Sequence, residues 1–69
     1  MPQPTLQDQI DCVKREIAMR ERVYPGWVER RRLSQEQADR ELTRMRAVLR
    51  TLQVVQRTVN EGAATSTKT

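Results

Sequence analysis

Apolar positions recur along this chain with helical spacing in two separate stretches, and nowhere with the strict alternation of a strand. Leu6, Ile10, Val13 and Ile17 step by four, three and four residues, the interval that stacks side chains on one face of an α-helix. Carried on by the same alternation, that face reaches Arg20, Tyr24, Trp27 and Arg31. A second series, Ala38, Leu42, Met45, Leu49, Leu52, Val55 and Val59, repeats the rhythm.

Boundary signals agree with the two stripes. Thr5 and Asp8, just after Pro4, form an N-terminal capping pair. Ser34 and Gln37 make a second capping box, with Leu33 stapled to Ala38. Asn60-Glu61-Gly62 offers a stop, with Gly62 as C-cap. The pattern therefore predicts an all-α fold: an antiparallel two-helix hairpin, helix 1 over about 5–31 and helix 2 over about 35–61, with a capped turn near residues 32–34. Residues 1–4 and 62–69 are expected to be disordered ends.

One stretch interrupts the first helix. Val23-Tyr24-Pro25-Gly26-Trp27 holds the chain's single Tyr and single Trp around two poor helix formers. Pro25 removes a backbone donor, which predicts a kink there, a break followed by a short helical turn being the other reading. Tyr24 and Trp27 fall on the apolar face. They either pack on helix 2 with Val23 and Val28, or stand as anchors for another protein beside Glu29, Arg30, Arg31 and Arg32.

Size then limits what a hairpin can do alone. A 69-residue chain makes one small domain, and mini-domains usually need a staple or a partner. A single cysteine, Cys12, and the absence of histidine leave neither an internal disulfide nor a Cys/His zinc site. Met19, Val23, Val48 and Val54 lie at the shoulders of the stripes, where a lone hairpin would leave them bare. A homodimer forming a four-helix bundle is expected, its core drawn from Leu6, Ile10, Val13, Ile17, Leu42, Met45, Leu49, Leu52, Val55 and Val59. The stretch MPQPTLQD lacks the basic, apolar and small-residue series of a signal peptide, and no apolar run approaches the roughly 18 residues that span a bilayer. A cytoplasmic protein without membrane contact is expected.

Charge narrows the class of partner. The formal net charge is +4, from eleven Arg and two Lys against nine acids, so the basic excess is guanidinium, suited to bidentate contact with carboxylate or phosphate. Between Glu41 and Glu61 there is no acid, while Arg46, Arg50, Gln53 and Arg57 step by four, three and four. Such a stripe fits acidic protein or a phosphate backbone, and is also how a solvated helix face looks. A small basic nucleic-acid-binding accessory factor is accordingly the alternative function. Against it, the helices are too long for a compact helix-turn-helix, and two aromatics make a meagre stacking platform. Catalysis is not expected: there is no His, no Gly-rich phosphate loop and no nucleophile beside a base. Asp8, Asp11 and Glu16 read as a solvated face and Cys12 as a packing residue, so neither metal nor cofactor is expected. Candidate partner-binding residues are Tyr24, Trp27, Glu29, Arg30, Arg31, Arg32, Arg46 and Arg50.

From about Ile10 to Leu52 the chain resembles a family of small phage proteins with the pattern E-I, R, V-Y-P-x-W-V, a short loop, L/M-S/T, A, E-I/L, M and A-V-L-x-T-L. Here these are Glu16-Ile17, Arg20 or Arg22, Val23 to Val28, Leu33-Ser34, Ala38, Glu41-Leu42, Met45 and Ala47 to Leu52. The V-Y-P-x-W-V block is the specific part. The family includes quorum-sensing anti-activators of Mu-like Pseudomonas phages. The resemblance implies a small helical dimer that binds the DNA-binding domain of a host LuxR-type transcription activator and keeps it from DNA. The type IV pilus assembly ATPase is implied as a second target. Two departures bear on partner choice: Arg31-Arg32 stands where relatives carry a Gly before the loop Leu/Met, and Gly26 follows Pro25 where a longer residue is usual.

Overall fold

The computed structural model of the chain describes residues 3–68, and their side chains through residue 61. Two helices, α1 (Leu6–Glu29) and α2 (Gln35–Lys68), pack against each other and make up the described secondary structure. Both starts are capped as the sequence predicts. The Asp8 N–H donates to Thr5 Oγ1 at 3.0 Å while the Thr5 N–H donates to Asp8 Oδ2 at 3.1 Å. At α2 the Gln37 N–H donates to Ser34 Oγ at 3.0 Å and the Ser34 N–H to Gln37 Oε1 at 3.3 Å. Each cap satisfies two otherwise orphaned backbone donors, a gain of about 1 kcal/mol.

Helix α1 runs unbroken through Pro25, which excludes the reading in which the helix stops and restarts there. Pro25 stands four residues from the end, so the hydrogen bond it omits, to the Glu21 carbonyl, is its main cost to the last turn. That turn is closed by a Schellman arrangement. The Arg32 N–H donates to the Trp27 carbonyl at 2.8 Å and the Arg31 N–H to the Val28 carbonyl at 3.0 Å. Arg31, between them, has φ 61°. This left-handed conformation is normally taken by glycine and costs an L-residue about 1 kcal/mol.

Buried side chains are few: Ile10, Ile17 and Tyr24 from α1 and Ala38 from α2. Leu6, Val13, Leu42, Met45, Leu49 and Leu52 are half-buried along the same seam. Val55 and Val59 are not in it, being 42% and 54% exposed. The reason is periodicity. A heptad spacing falls behind a straight α-helix by about 20° per repeat, so the series Ala38, Met45, Leu52, Val59 swings by about 60° out of the seam over three heptads. The companion series Leu42, Leu49, Gln56 swings into it, and Gln56 Nε2 donates to Gln7 Oε1 on α1 at 2.8 Å.

The predicted end of helix 2 needs correction. Helix α2 continues past Gly62 to Lys68, in place of a C-cap at residue 62 and a disordered tail. A glycine inside a helix costs about 1 kcal/mol relative to alanine, and Ala63-Ala64 directly after it favour continuation. Gln3 and Pro4 lie outside regular structure; the rest of the predicted disordered ends, residues 1, 2 and 69, lies outside the described residues. Because Gln56 pairs with Gln7 near the start of α1, the remainder of α2 extends beyond its partner helix. The 10-residue excess of α2 over α1, 34 against 24, corresponds to about 15 Å of helix.

Candidate partner-binding surface

At the turn end, Tyr24 and Trp27 occupy one turn of α1, three residues apart, with ring centroids at 5.6 Å and planes tilted by 40°, a geometry that favours aromatic pairs. The two do not share a fate. Tyr24 is buried, so the expectation that it meets a partner is corrected: its ring packs in the core, opposite Ala38, and supports its neighbour. Trp27 is 42% exposed, and the Arg32 N–H bound to its carbonyl ties the turn back to it. An aromatic that is fixed and half bare is how a binding anchor is preorganised.

Arg20, one turn before Tyr24, donates to Glu16 Oε2 at 2.6 Å and to the Glu16 carbonyl at 3.2 Å. Its pKa is raised above the ordinary arginine value, first by the hydrogen bond to Glu16, against a lowering by burial, and further by the Tyr24 hydroxyl. Arg20 is therefore charged at every working pH and belongs to the local framework.

Of the other candidate contact residues, Glu29, Arg30, Arg31 and Arg32 are all exposed around the turn. Arg46 is drawn across the hairpin, where it donates to Glu21 at 2.9 Å. Arg50 is exposed beside Ala47, Thr51, Val54 and Val55. Gln53 is half-buried. The basic stripe predicted along helix 2 is thus divided: Arg46 bridges the helices, Gln53 is half-buried, and Arg50 and Arg57 remain exposed outside the bridge.

A second surface runs along the opposite flank of the hairpin. Val48 and Leu52 of α2 and Cys12 and Val13 of α1 line an apolar groove with Pro4 and Gln9 at its edge. Val48, Val55 and Val59 continue it, 47%, 42% and 54% exposed. Exposed valines at intervals of seven and four on one helix flank are a contiguous feature rather than scattered apolar residues. Cys12 is a free thiol on this flank, so its predicted role as a packing side chain is not realised within the hairpin.

Neither the Glu21–Arg46 bridge nor the left-handed Arg31 was foreseen from sequence. The bridge had a faint signal, since both residues sit just outside a predicted stripe with opposite charge. Arg31 had none. Among the described residues no three His, Cys, Asp or Glu come together as a metal-binding group, and no helix is long and apolar enough to cross a membrane. The chain matches no protein-family model, no curated protein and no solved structure. The fold and its surfaces therefore define an all-α helical hairpin, and its function has to be argued from those surfaces.

Proposed function

We propose that the chain is a phage-encoded inhibitor that binds a host regulatory protein in the host cytoplasm, acts as a homodimer and performs no chemistry. The observation that carries this reading is Trp27: an exposed aromatic whose ring lies tilted against a buried tyrosine and which is followed in the turn by three exposed arginines. Trp and Arg are among the residues most enriched where binding energy concentrates. The resemblance of the V-Y-P-x-W-V block supplies the target, the DNA-binding domain of a LuxR-type activator, whose DNA binding would be blocked. It supplies the type IV pilus assembly ATPase as a second target.

The dimer is supported by the bare apolar flank: Val48, Val55 and Val59 are 47%, 42% and 54% exposed on one side of α2, and a second copy laid on them would bury them with the half-buried Leu52. Two hairpins joined there form a four-helix bundle and carry two copies of the turn end, which suits a regulator that binds DNA as a dimer.

The test uses the purified activator domain and its DNA site. Adding the protein should release the domain from DNA, and Trp27→Ala should weaken the complex with the domain by tenfold or more while the helix signal stays unchanged. Retention of full affinity by a folded Trp27→Ala variant would remove the turn end from the mechanism. Binding to generic DNA that falls steeply with salt and ignores Trp27 would transfer the function to the exposed Arg50 and Arg57, as in the nucleic-acid alternative.

A further inference from the structure

The turn end carries an uncompensated positive charge, and this fixes the kind of partner segment it can hold. Arg30, Arg31 and Arg32 are exposed, and among the described residues none of them has a carboxylate within ion-pair distance. The nearby acids are engaged elsewhere on the chain. Glu36 accepts from Arg40 at 2.9 Å, Glu21 from Arg46 at 2.9 Å, Glu16 from Arg20 at 2.6 Å, and Asp39 from the Gln35 side-chain amide at 2.9 Å. Glu29 is the exception, and it lies about 200° round α1 from Trp27 at 100° per residue, on the other side of the helix.

Two further observations separate these arginines from a solvated charge run. Arg31 holds a left-handed backbone, φ 61°, where glycine would be free of strain, so folding stability does not account for a side chain there. Arg32 is bound through its backbone N–H to the carbonyl of Trp27 at 2.8 Å, which holds the backbone of the arginine turn against the last turn of α1 that carries the exposed indole. The chain as a whole is also positive, +4, so docking directly on a basic surface would be opposed by charge repulsion.

We infer that the turn end recognises an acidic protein segment, two or more carboxylates beside an apolar side chain, with Arg30, Arg31 and Arg32 taking the carboxylates and Trp27 the apolar group. Arginine's planar fork matches carboxylate in two-point hydrogen bonding. The inference rests on the reading of the turn end as the partner site and sharpens it. The inhibitor is not a mimic of DNA, and it grips a host regulator on an acidic face away from the basic surface that reads DNA. Inhibition then comes from the bulk of the dimer, or from holding the regulator in an arrangement that cannot engage both half-sites.

Trp27 is the sole tryptophan, so its emission reports directly on the site. The full-length protein is titrated with three probes: a 15-residue peptide of Glu and Asp with two Leu, the same peptide with Lys in place of the acids, and a single-stranded 15-mer DNA. The expected result is saturable blue-shifting with the acidic peptide, weakened at least tenfold by 0.5 M salt and by the variant Arg30→Gln, Arg31→Gly, Arg32→Gln. That variant relieves the strain at position 31, so lost binding could not be ascribed to lost folding. No response to the acidic peptide, an equal or stronger response to the lysine peptide or the DNA, or full binding by the neutral variant would each overturn the inference. An acidic peptide that binds while the activator domain does not would leave the inference standing and remove the proposed target. Trp27-dependent binding of the domain by the neutral variant at full strength would do the reverse.

Discussion

The turn end and the open end of the hairpin are drawn from the same pair of apolar stripes, yet they finish differently. At the turn, Tyr24 and Ala38 are buried, the Schellman bonds close α1, and the Ser34 box opens α2. At the open end α2 runs on without α1 beside it, and Val54, Val55 and Val59 face outward. The difference shows that one hairpin satisfies the stripe positions that face the seam, from Ile10 to Ala38, and leaves the valines on the outer flank and distal part of α2 bare. The turn end leaves Trp27 and three arginines bare beside a closed corner, and the open flank leaves a row of valines bare.

The sharpest way to break this contrast is to empty a core position and a flank position in turn. Ile10→Ala, at a site only 2% exposed, should cost about 3 kcal/mol or more in urea unfolding followed by circular dichroism. Val59→Ala, measured at dilutions where single hairpins prevail, should cost under about 0.5 kcal/mol. Comparable losses at both positions in dilute solution would mean that the open end is already packed within one chain.

The flank itself is addressed by association. Val48→Lys combined with Val55→Lys should raise the dimer dissociation constant at least 100-fold in sedimentation equilibrium, equivalent to about 2.7 kcal/mol, while the helical signal of the monomer persists. A dimer that survives both lysines would have its seam on another face. The smallest effect belongs to the turn: Arg31→Gly should stabilise the hairpin by about 1 kcal/mol by removing the left-handed strain. A loss of stability there would show that the Arg31 side chain helps hold the corner together, against its assignment to recognition.

Much of this molecule was legible residue by residue. The Thr5/Asp8 and Ser34/Gln37 boxes specify helix starts through hydrogen bonds made within four residues, and the three-four spacing of Ile10, Ile17, Leu42 and Leu49 specifies which faces meet. Such signals are local, so the sequence determined two helices, their starts and the turn between them. Their exact ends were less readable. Gly62 resembles a cap and does not act as one, because stopping a helix also requires the following chain to leave it, and Ala63-Ala64 do not.

The fates of individual side chains were decided only by packing. Tyr24 and Trp27 carry similar signals in sequence, but at three residues' separation they point about 60° apart on the helix, and α2 covers one and not the other. Val59 and Gln56 exchange their expected places because small angular offsets accumulate over three heptads. Arg46 leaves its stripe because Glu21 lies across the seam, 25 residues away in the chain. Periodicity and capping are properties of a few neighbouring residues and can be read from the chain. Which face is covered, which charge is answered and which is left bare depend on where a second helix lies, and that is fixed only when the hairpin closes.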